Sequence, residues 1–343
     1  MSDAGPLVLI CGGGSGGHLT PGFALADALL AAPDPPRVVF LTGDRPVDRR
    51  MTAAEPFECR RFPLAPPGRT ARSPAAAAAF ARCLTTARRL AAGRPCVTVG
   101  TGGYASVPGV LGAKSAGAAV VLLEPNAVDG AATRWLGSLA THVLRGLSGT
   151  PNRKSHLPRE VPVEPDSLLV LGGSSGSAAL DAAVPAALAG LPEVGRLTVS
   201  HQCGGDPAAV RAAYNSAGAS PNRTEVAPFF PDAPVRLARA AVTVCRAGAV
   251  TLAEAAAYGV RPVLVPYPHA GGHQLANARR HAAAQGSPVA EEGAYLADRL
   301  RGHLAAALAA PPPRARRLTP WDPAADLAAL VRGELARRAT DRR

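Results

Sequence analysis

The sequence is poor in aromatic residues and in lysine. Aromatic side chains make up 4% of the 343 residues, and Lys114 and Lys154 are the only lysines among 37 basic residues. Hydrophobic residues nevertheless make up 47% of the chain, so its cores must be built mainly from Ala, Val and Leu. A chain of this length predicts about two domains.

The sequence also lacks the patterns of several protein classes. Its six cysteines include no CxxC pair, which argues against a zinc site or a disulfide framework and favours a reducing compartment. No uninterrupted apolar run reaches the roughly 18 residues that a membrane-spanning helix needs. Asp3 and the early glycine-rich turn break any signal-peptide core. We therefore expect a cytoplasmic protein that at most attaches to a membrane surface.

Acidic residues are missing from one long stretch of this basic chain. The formal charge is +12, and residues 59–123 contain no Asp or Glu. Within this stretch, Ser73 as N-cap and Pro74 at the first position predict a helix over 74–92. Its expected faces are an apolar one of Phe80, Cys83, Leu84, Ala87 and Ala91 and a polar one of Arg82, Thr85, Thr86 and Arg89.

Two interpretations of this helix stay open. It is either an ordinary surface helix or a point of attachment to an anionic membrane surface, which attracts basic side chains. Nucleic-acid binding would rest on charge alone, and we predict no nucleic acid as a partner.

Apolar strand-like runs alternate with helical stretches along the chain. The predicted strands lie at 7–11, 37–42, 95–99, 118–123, 167–171, 196–200, 241–245 and 262–266, and the main predicted helices at 22–31, 74–92, 104–116 and 323–338. This alternation predicts an α/β fold with two Rossmann-like parallel-sheet domains. The proline-rich stretch 147–166 predicts a linker. It divides an N-terminal domain of 1–146, completed by a C-terminal helix at about 320–343, from a C-terminal domain of 167–319.

Each half begins with a strand, a glycine cluster and a helix. Residues 12–18 (GGGSGGH) and 172–177 (GGSSGS) suit a close approach of backbone amides to phosphate groups. The first cluster fits the GxGxxG pattern, but a dinucleotide fold also needs an acidic residue about 20 residues later, and Asp44 lies too far along. A nicotinamide dehydrogenase is therefore disfavoured. Tight packing without a ligand stays open for either cluster.

Two titratable residues lie near predicted helix starts. Glu254 follows Gly248-Ala249, where a carboxylate can accept hydrogen bonds from a ribose diol or simply cap the helix. His18 ends the first glycine cluster, and a helix N-terminus disfavours a protonated imidazole. We predict that His18 is neutral and acts as a general base. The alternative is that it orients substrate or caps the helix.

Six motifs, in this order, resemble the MurG family of glycosyltransferases. They are GGSGGH (13–18), GTGGYASVPG (100–109), LEPNAVDG (123–130), LGGSSGS (171–177), CRAGAVTLAE (245–254) and VPYPHAGGHQLANA (265–278). The resemblance implies a GT-B fold, with two Rossmann-like domains facing each other across a cleft. It also implies inverting transfer of N-acetylglucosamine (GlcNAc) from UDP-GlcNAc to the 4-hydroxyl of undecaprenyl-linked MurNAc-pentapeptide, by a peripheral enzyme on the cytoplasmic face of the inner membrane.

The resemblance implies a role for each matched residue. His18 is the catalytic residue. The donor-binding set is Ser15, Gly16, Gly17, Asn126, Arg153, Ser174, Phe230, Ala249, Val250, Thr251, Leu252, Ala253, Glu254 and Gln274, and the acceptor-side candidates are Gly13, Gly14, Tyr104 and Glu124. Within the donor set, residues 249–254 hold the ribose and α-phosphate, Gln274 the GlcNAc hydroxyls, and Phe230 the uracil through its backbone.

The motifs contain no DxD-type acidic pair. Backbone amides and a helix dipole can instead stabilise the charge of the leaving UDP. We therefore predict no cofactor and no obligatory metal.

The chain departs from the family pattern at several positions. Leu123 and Pro125 replace two polar residues of a His-Glu-Gln-Asn motif, and glycines at 271–272 replace acidic residues. The family's linker arginine corresponds to Arg153 or to Arg159. These differences leave open a related GT-B transferase with another lipid or small-molecule acceptor, and a catalytically silent UDP-sugar-binding protein.

Overall fold

The chain divides into two units, each built around a parallel β-sheet. The computed structural model describes residues 5–53, 55–66, 68, 73–146, 158–269, 272–319 and 322–341. Unit 1 comprises Met1–Lys154 and Asp322–Arg343, and unit 2 comprises Ser155–Trp321. The last helix of the chain therefore belongs to the unit that contains the first strand.

Strands and helices alternate along the described part of the chain. The strands are β1 (Leu7–Cys11), β2 (Arg37–Thr42), β3 (Glu58–Arg61), β4 (Cys96–Gly100), β5 (Ala119–Glu124), β6 (His142–Arg145), β7 (Glu160–Pro162), β8 (Glu164–Leu171), β9 (Thr198–Gln202), β10 (Thr224–Ala227), β11 (Ala240–Cys245), β12 (Val263–Leu264) and β13 (Ala315–Arg317). The helices are α1 (Gly16–Leu30), α2 (Pro46–Ala53), α3 (Pro74–Ala91), α4 (Ser106–Ser115), α5 (Ala131–Leu136), α6 (Ala178–Leu188), α7 (Pro207–Ser216), α8 (Ala233–Arg239), α9 (Ala249–Ala257), α10 (His273–Gln285), α11 (Leu296–Ala309) and α12 (Pro323–Thr340).

The sheet of unit 1 has the strand order β3-β2-β1-β4-β5-β6, and its strands are parallel. Leu7 of β1 pairs with Arg37 of β2 on one side and with Cys96 of β4 on the other. The order of the strands therefore changes direction between β1 and β4. Open α/β sheets bind ligands outside the carboxyl ends of the strands at such a reversal point.

The main sheet of unit 2 follows the same plan, with the parallel order β10-β9-β8-β11-β12. Its reversal point lies between β8 and β11. A small antiparallel pair joins β13 to β7, with Ala315 opposite Pro162. The predicted α/β class with two Rossmann-like parallel sheets is confirmed.

Helix α12 completes one face of the sheet in unit 1. Leu327, Val331 and Leu335 are buried in the same apolar cluster as side chains of α1 and of β1, β2, β4 and β5. Glu334, buried on the same helix, lies 2.9 Å from Nε2 of His142, the first residue of β6. The apolar face of α12 therefore forms part of the core of unit 1.

Small residues let α3 and α4 approach closely on the other face of this sheet. The buried stripe of α3 is Ala79, Cys83, Ala87 and Ala91. A Cβ atom at Gly112 of α4 would stand 2.1 Å from the carbonyl oxygen of Leu84. Phe80, predicted on the same apolar face as Cys83 and Ala87, is not part of this buried stripe. Phe80 is 38% exposed.

The predicted linker 147–166 is partly wrong. Residues 147–157 lie outside the described part of the chain, but 160–162 and the first residues of β8 are strand. Val161 and Val163 are buried at alternate positions, which is the period of a strand. The prolines of this stretch obscured that pattern.

Two other predicted elements differ at their ends. The helix predicted at 22–31 begins at Gly16, because Ser15 is still extended (φ −159°, ψ 157°) and the chain turns helical directly after it. Pro21 therefore lies inside α1 and does not precede it. The strand predicted at 262–266 is reduced to Val263–Leu264. Among the described helices, none is long and apolar enough to cross a membrane.

The contact at Gly112 predicts an unusual response to alanine. Gly112→Ala should destabilise unit 1 by about 1–3 kcal/mol through overpacking, although alanine favours helix by about 1 kcal/mol. The matched control is Gly333→Ala in α12, where no atom lies within 4 Å of the added Cβ and stability should rise by about 0.5–1 kcal/mol. Urea unfolding of both variants measures the difference. Equal effects of the two substitutions would contradict the close packing.

Candidate active site

The first candidate site lies where β1 and β4 end, at the reversal point of unit 1. A Cβ atom at Gly12, after β1, would stand 1.9 Å from Oγ1 of Thr101, after β4. Gly13 and Gly14 have φ angles of 150° and 84°, in the region that favours glycine. Packing and backbone conformation therefore account for three glycines of the opening run.

Asp48 of α2 holds this turn in place. Its buried carboxylate accepts hydrogen bonds from the amides of Gly14 (2.6 Å) and Arg45 (3.2 Å). Arg45 also donates from Nη1 to the carbonyl oxygen of Gly14 (3.1 Å). One of the amides predicted to face a phosphate is therefore bound to a carboxylate of the protein. Asp48 belongs to none of the six motifs, and no pattern in the sequence points to it.

The same turn orients the His18 ring. Nδ1 of His18 lies 3.1 Å from the carbonyl oxygen of Gly13 and 3.0 Å from Oγ of Ser15. A carbonyl oxygen can only accept a hydrogen bond, so Nδ1 carries the proton and Nε2 carries the lone pair. This hydrogen bond thus assigns the tautomer in which Nε2 can accept a proton.

The His18 ring lies against the backbone of Gly102 and Gly103. A Cβ atom at Gly102 would stand 3.0 Å from Cδ2 of His18, and one at Gly103 would stand 2.8 Å from Nδ1. Both glycines also have positive φ angles, of 101° and 73°. The glycines of the GTGGY motif therefore leave room for the imidazole.

The surroundings of His18 favour its neutral form. Burial lowers the pKa of His18 below its ordinary value, while the Gly13 carbonyl and the carboxylates of Glu124 and Asp48 act in the opposite direction. The direction agrees with the prediction of a neutral imidazole. The largest cause is removal from water, which the sequence does not reveal.

Glu124 organises the loop that follows β5. One carboxylate oxygen accepts from the amide and side chain of Asn126 (3.2 and 2.9 Å), and the other from the amide of Gly130 (2.7 Å) and the hydroxyl of Thr133 (2.6 Å). These four bonds engage both oxygens within the chain. They favour a role for Glu124 in shaping the loop over direct contact with an acceptor. Tyr104, another acceptor-side candidate, packs near Gly14.

The second candidate site lies where β8 and β11 end, at the reversal point of unit 2. The turn 172–177 follows β8, and its Gly173 and Gly176 have φ angles of 84° and 69°. Ser174, half-buried, lies in this turn. Helix α9 begins at Ala249, directly after Gly248, so the free amides of its first turn lie at the same edge of the sheet. Two sets of amides suited to an anion thus occur at this point.

Glu254 lies in α9 and is buried. Burial raises the pKa of Glu254 to about 8, so a substantial share of this carboxyl is protonated near neutral pH. Among the described residues, no hydrogen bond or ion pair to its carboxyl group is found. A diol could supply the missing partners.

The loop after β12 is held by the side chains of Gln274 and Arg246. The amide of Tyr267 donates to Oε1 of Gln274 (3.0 Å), which leaves the amide nitrogen of that side chain to donate to a ligand. Arg246, buried directly after β11, donates to the carbonyl of Val265 (3.1 Å) and pairs with Glu292 (2.5 Å). Its guanidinium carbon lies 5.5 Å from the centre of the Tyr267 ring. Arg246 lies within the CRAGAVTLAE motif, whose pattern predicts no role for it.

Phe230 is fixed by an arginine of α8. The guanidinium carbon of Arg236 lies 4.2 Å from the centre of the Phe230 ring, which is buried. Arg236 is held in turn by Asp232 (2.9 Å) and Glu225 (2.5 Å). The side chain of Phe230 is thus engaged inside unit 2.

Within the described residues, no group of three or more His, Cys, Asp or Glu side chains could hold a metal ion.

Comparison with known proteins identifies the family. Residues 8–145 match the glycosyltransferase family 28 N-terminal domain, and residues 167–316 match the C-terminal domain of that family. A relative from Bordetella pertussis is 38% identical over 80% of this chain and 81% of its own length. One from Bordetella petrii is 36% identical over 94% and 96%. Both are named UDP-N-acetylglucosamine–N-acetylmuramyl-(pentapeptide) pyrophosphoryl-undecaprenol N-acetylglucosamine transferase.

Solved structures agree on the fold. The crystal structure of MurG from Acinetobacter baumannii has a TM-score of 0.67 at 24% identity and covers 96% of this chain and 99% of its own. The glycosyltransferase of kitacinnamycin has a TM-score of 0.60 at 18% identity, over 98% and 96%.

The chain belongs to the MurG family, within glycosyltransferase family 28.

The family named from the six motifs is therefore confirmed, and so are the GT-B fold class and the prediction of a glycosyltransferase. Of the MurG-family positions, Arg153 lies outside the described residues. Its rival Arg159 is exposed, and its carbonyl accepts from the amide of Leu318 (2.8 Å). The assignment of ligand contacts to individual residues stays a prediction.

The burial of Glu254 predicts a pH-dependent effect on stability. Its pKa is about 8 in the folded chain and 4.5 ordinarily, so the folded state holds a proton that the unfolded state releases. Stability is therefore lost as pH rises from about 5 to about 8, by up to about 1.4 kcal/mol per pH unit. Glu254→Gln removes this loss, so its advantage over wild type should grow across that range to a few kcal/mol.

Urea unfolding at several pH values measures this advantage. The control is Glu291→Gln, which removes a mostly exposed carboxylate of the same unit and should give a nearly pH-independent difference. An advantage of Glu254→Gln that stays constant with pH would contradict a raised pKa.

Proposed function

We propose that this chain transfers GlcNAc from UDP-GlcNAc to the 4-hydroxyl of undecaprenyl-linked MurNAc-pentapeptide. The relatives that match most of its length carry the name of this reaction. The geometric observation that supports the proposal is the oriented, neutral His18, whose Nε2 is free of the proton. Such a group can act as a general base for a sugar hydroxyl.

The proposed reaction is a single displacement. Nε2 of His18 takes the proton of the acceptor 4-hydroxyl, directly or through a water, as that oxygen bonds to the anomeric carbon of GlcNAc. The bond from that carbon to the UDP oxygen breaks, and UDP leaves with the electron pair. Attack from the face opposite UDP converts an α-linked donor into a β-linked product. The Gly13 carbonyl stabilises the imidazolium through Nδ1–H.

Unit 2 is assigned the donor. The turn 172–177, with Ser174, and the first turn of α9 offer amides to the diphosphate. Glu254 takes the ribose hydroxyls, Gln274 donates its amide to a GlcNAc hydroxyl, and the backbone at Phe230 contacts uracil. The amides and the helix dipole stabilise the leaving diphosphate. The absence of an obligatory metal stays a prediction.

A different acceptor is the second candidate. Leu123 and Pro125 are apolar and buried in the loop organised by Glu124, so this loop offers fewer polar side chains than the family motif. An assay with radiolabelled UDP-GlcNAc decides between the two candidates. Product formed with lipid-linked MurNAc-pentapeptide, and not with the same lipid lacking MurNAc, supports the first proposal. Turnover with neither lipid would contradict it.

The base assignment predicts a specific kinetic defect. His18→Ala should lower kcat by about 10²–10⁴-fold, the usual contribution of a general base. It should leave the affinity for UDP-GlcNAc nearly unchanged, since the contacts proposed for the uracil, the ribose, the diphosphate and the GlcNAc hydroxyls all lie in unit 2. Single-turnover kinetics and calorimetry measure the two quantities. The control, His303→Ala, changes a histidine of α11 without an assigned role. A His18→Ala variant that keeps more than about a third of wild-type kcat would remove the assignment.

We also propose that unit 1 attaches to an anionic membrane surface on the cytoplasmic side. A pocket of about 330 Å³ in unit 1 is lined by Arg61 of β3, by Phe62 and by Arg82, Thr85, Thr86 and Arg89 of α3. This group suits a lipid phosphate. Among the described residues of unit 1, two aromatic side chains are also exposed, Phe80 by 38% and Trp135 by 75%, and a tryptophan suits the boundary of lipid and water.

The attachment should depend on the arginines of α3. A basic group near an anionic surface adds about 1 kcal/mol, so Arg82→Gln with Arg89→Gln should weaken binding to phosphatidylglycerol vesicles by roughly 10- to 30-fold. Sedimentation with vesicles at low and high salt measures it. Arg211→Gln with Arg280→Gln removes the same charge from unit 2 and should have little effect. Binding that ignores salt, or equal losses in both double variants, would contradict the proposal.

A further inference from the structure

A buried chain of three polar side chains runs beneath the turns of unit 2. Tyr214 of α7 and His201 of β9 are fully buried, and Asp181 of α6 is nearly so. The Tyr214 hydroxyl lies 2.7 Å from Nδ1 of His201, and Nε2 of His201 lies 3.1 Å from Oδ1 of Asp181. The two rings meet edge to face, with centres 5.6 Å apart. None of these three residues has a role in the catalysis or the ligand binding proposed for this chain.

The hydrogen bonds of this chain have one direction. Burial works to raise the pKa of Asp181, but the bonds from His201 and from the amides of Gly205 and Gly204 outweigh it, so the pKa is lowered. Asp181 is therefore ionised and can only accept, which places a proton on Nε2 of His201. Nδ1 then accepts from the Tyr214 hydroxyl, and every member has a suitable partner.

The chain ends on the backbone after β9. Oδ2 of Asp181 accepts from the amides of Gly204 (2.9 Å) and Gly205 (2.8 Å). That backbone packs directly on the turn 172–177. A Cβ atom at Gly176 would stand 2.1 Å from the Cα of Gly204, and one at Gly204 would stand 2.6 Å from the amide nitrogen of Ser177. A displacement of residues 204–205 would therefore also displace the turn 172–177, which contains Ser174.

We infer that Tyr214, His201 and Asp181 are positioning residues, which hold the turn 172–177 in the conformation that binds the diphosphate of the nucleotide donor. The inference rests on the proposed function of unit 2. These three side chains should affect the binding of phosphate groups, because the turn that they hold offers its backbone amides to a ligand. The uridine contacts are assigned to Phe230 and α9, away from the three residues in sequence. Loss of the hydrogen bonds among the three residues should therefore lower the affinity for UDP more than the affinity for uridine.

Asp181→Asn is the sharpest variant. It keeps the volume of the side chain, but its amide nitrogen must face either His201 Nε2 or the amides of Gly204 and Gly205. Either a donor meets a donor, or His201 changes tautomer and the Tyr214 hydroxyl loses its acceptor. Calorimetry should show affinity for UDP falling roughly tenfold, which corresponds to one hydrogen bond to a charged group. The affinity for uridine should stay within twofold of wild type. Tyr214→Phe, which removes only the terminal hydroxyl, should give a smaller loss of the same kind.

A neighbouring carboxylate provides the control. Asp206 is exposed and caps α7 by accepting from the amide of Ala208 (3.0 Å). Asp206→Asn therefore changes the same loop without touching the three-residue chain, and its ratio of UDP to uridine affinity should equal that of wild type. Thermal unfolding identifies any variant that does not fold, and Tyr214→Phe keeps the test possible if Asp181→Asn fails.

The outcomes separate this inference from the proposed function. Wild-type protein that binds neither UDP nor uridine would overturn the function proposed for unit 2. Wild-type binding together with an unchanged ratio in folded Asp181→Asn and Tyr214→Phe would overturn the positioning role alone. Equal losses of UDP and uridine affinity would also overturn it, because a general loss of structure affects both ligands.

Discussion

The arrangement of both candidate sites depends on close contacts that glycines make with neighbouring turns. In unit 1 the turn after β1 touches the turn after β4 at Gly12 and Thr101, and in unit 2 the turn after β8 touches the turn after β9 at Gly176 and Gly204. Such contacts exist only where no Cβ intervenes. An internal carboxylate then binds amides in each unit, Asp48 in the first and Asp181 in the second. Buried carboxylates thus fix the turns that surround the candidate ligand sites of both units.

The low aromatic content has a related consequence for packing. A core made of Ala, Val, Leu and Cys lets elements approach closely, as α4 approaches α3 at Gly112. Three aromatic rings of unit 1, Phe23, Phe40 and Phe57, pack against one another with centres 5.2–6.0 Å apart. Two other aromatic side chains of unit 1, Phe80 and Trp135, are exposed at the surface.

Much of the fold could be predicted from the sequence because strand runs, glycine clusters and helix caps are local signals. Ser73 indeed caps α3 by accepting from the amide of Ala76 (3.2 Å). The errors arose where a distant residue decides the outcome. The strand at 160–162, for example, depends on its partner at 315–317.

The candidate sites show the same division between local and distant signals. The motifs identified His18 and Glu254 as titratable residues at helix starts, whereas their burial and the tautomer of His18 depend on neighbours that no spacing reveals. Asp48, Arg246 and the chain from Tyr214 to Asp181 act on the backbone through tertiary contacts. Sequence periodicity carries no information about such contacts, so only the structure could reveal them.

The return of α12 to unit 1 has a consequence for synthesis of the protein. Leu327, Val331 and Leu335 fill one face of a sheet whose strands leave the ribosome early. Until α12 emerges, that face has an exposed apolar surface, whereas the described elements of unit 2 lie between residues 160 and 317 and precede α12. The described elements of unit 2 are therefore synthesised before the last element of unit 1. The first strands translated belong to the unit that is completed last, and its uncovered apolar face is a surface through which the incomplete chain can aggregate.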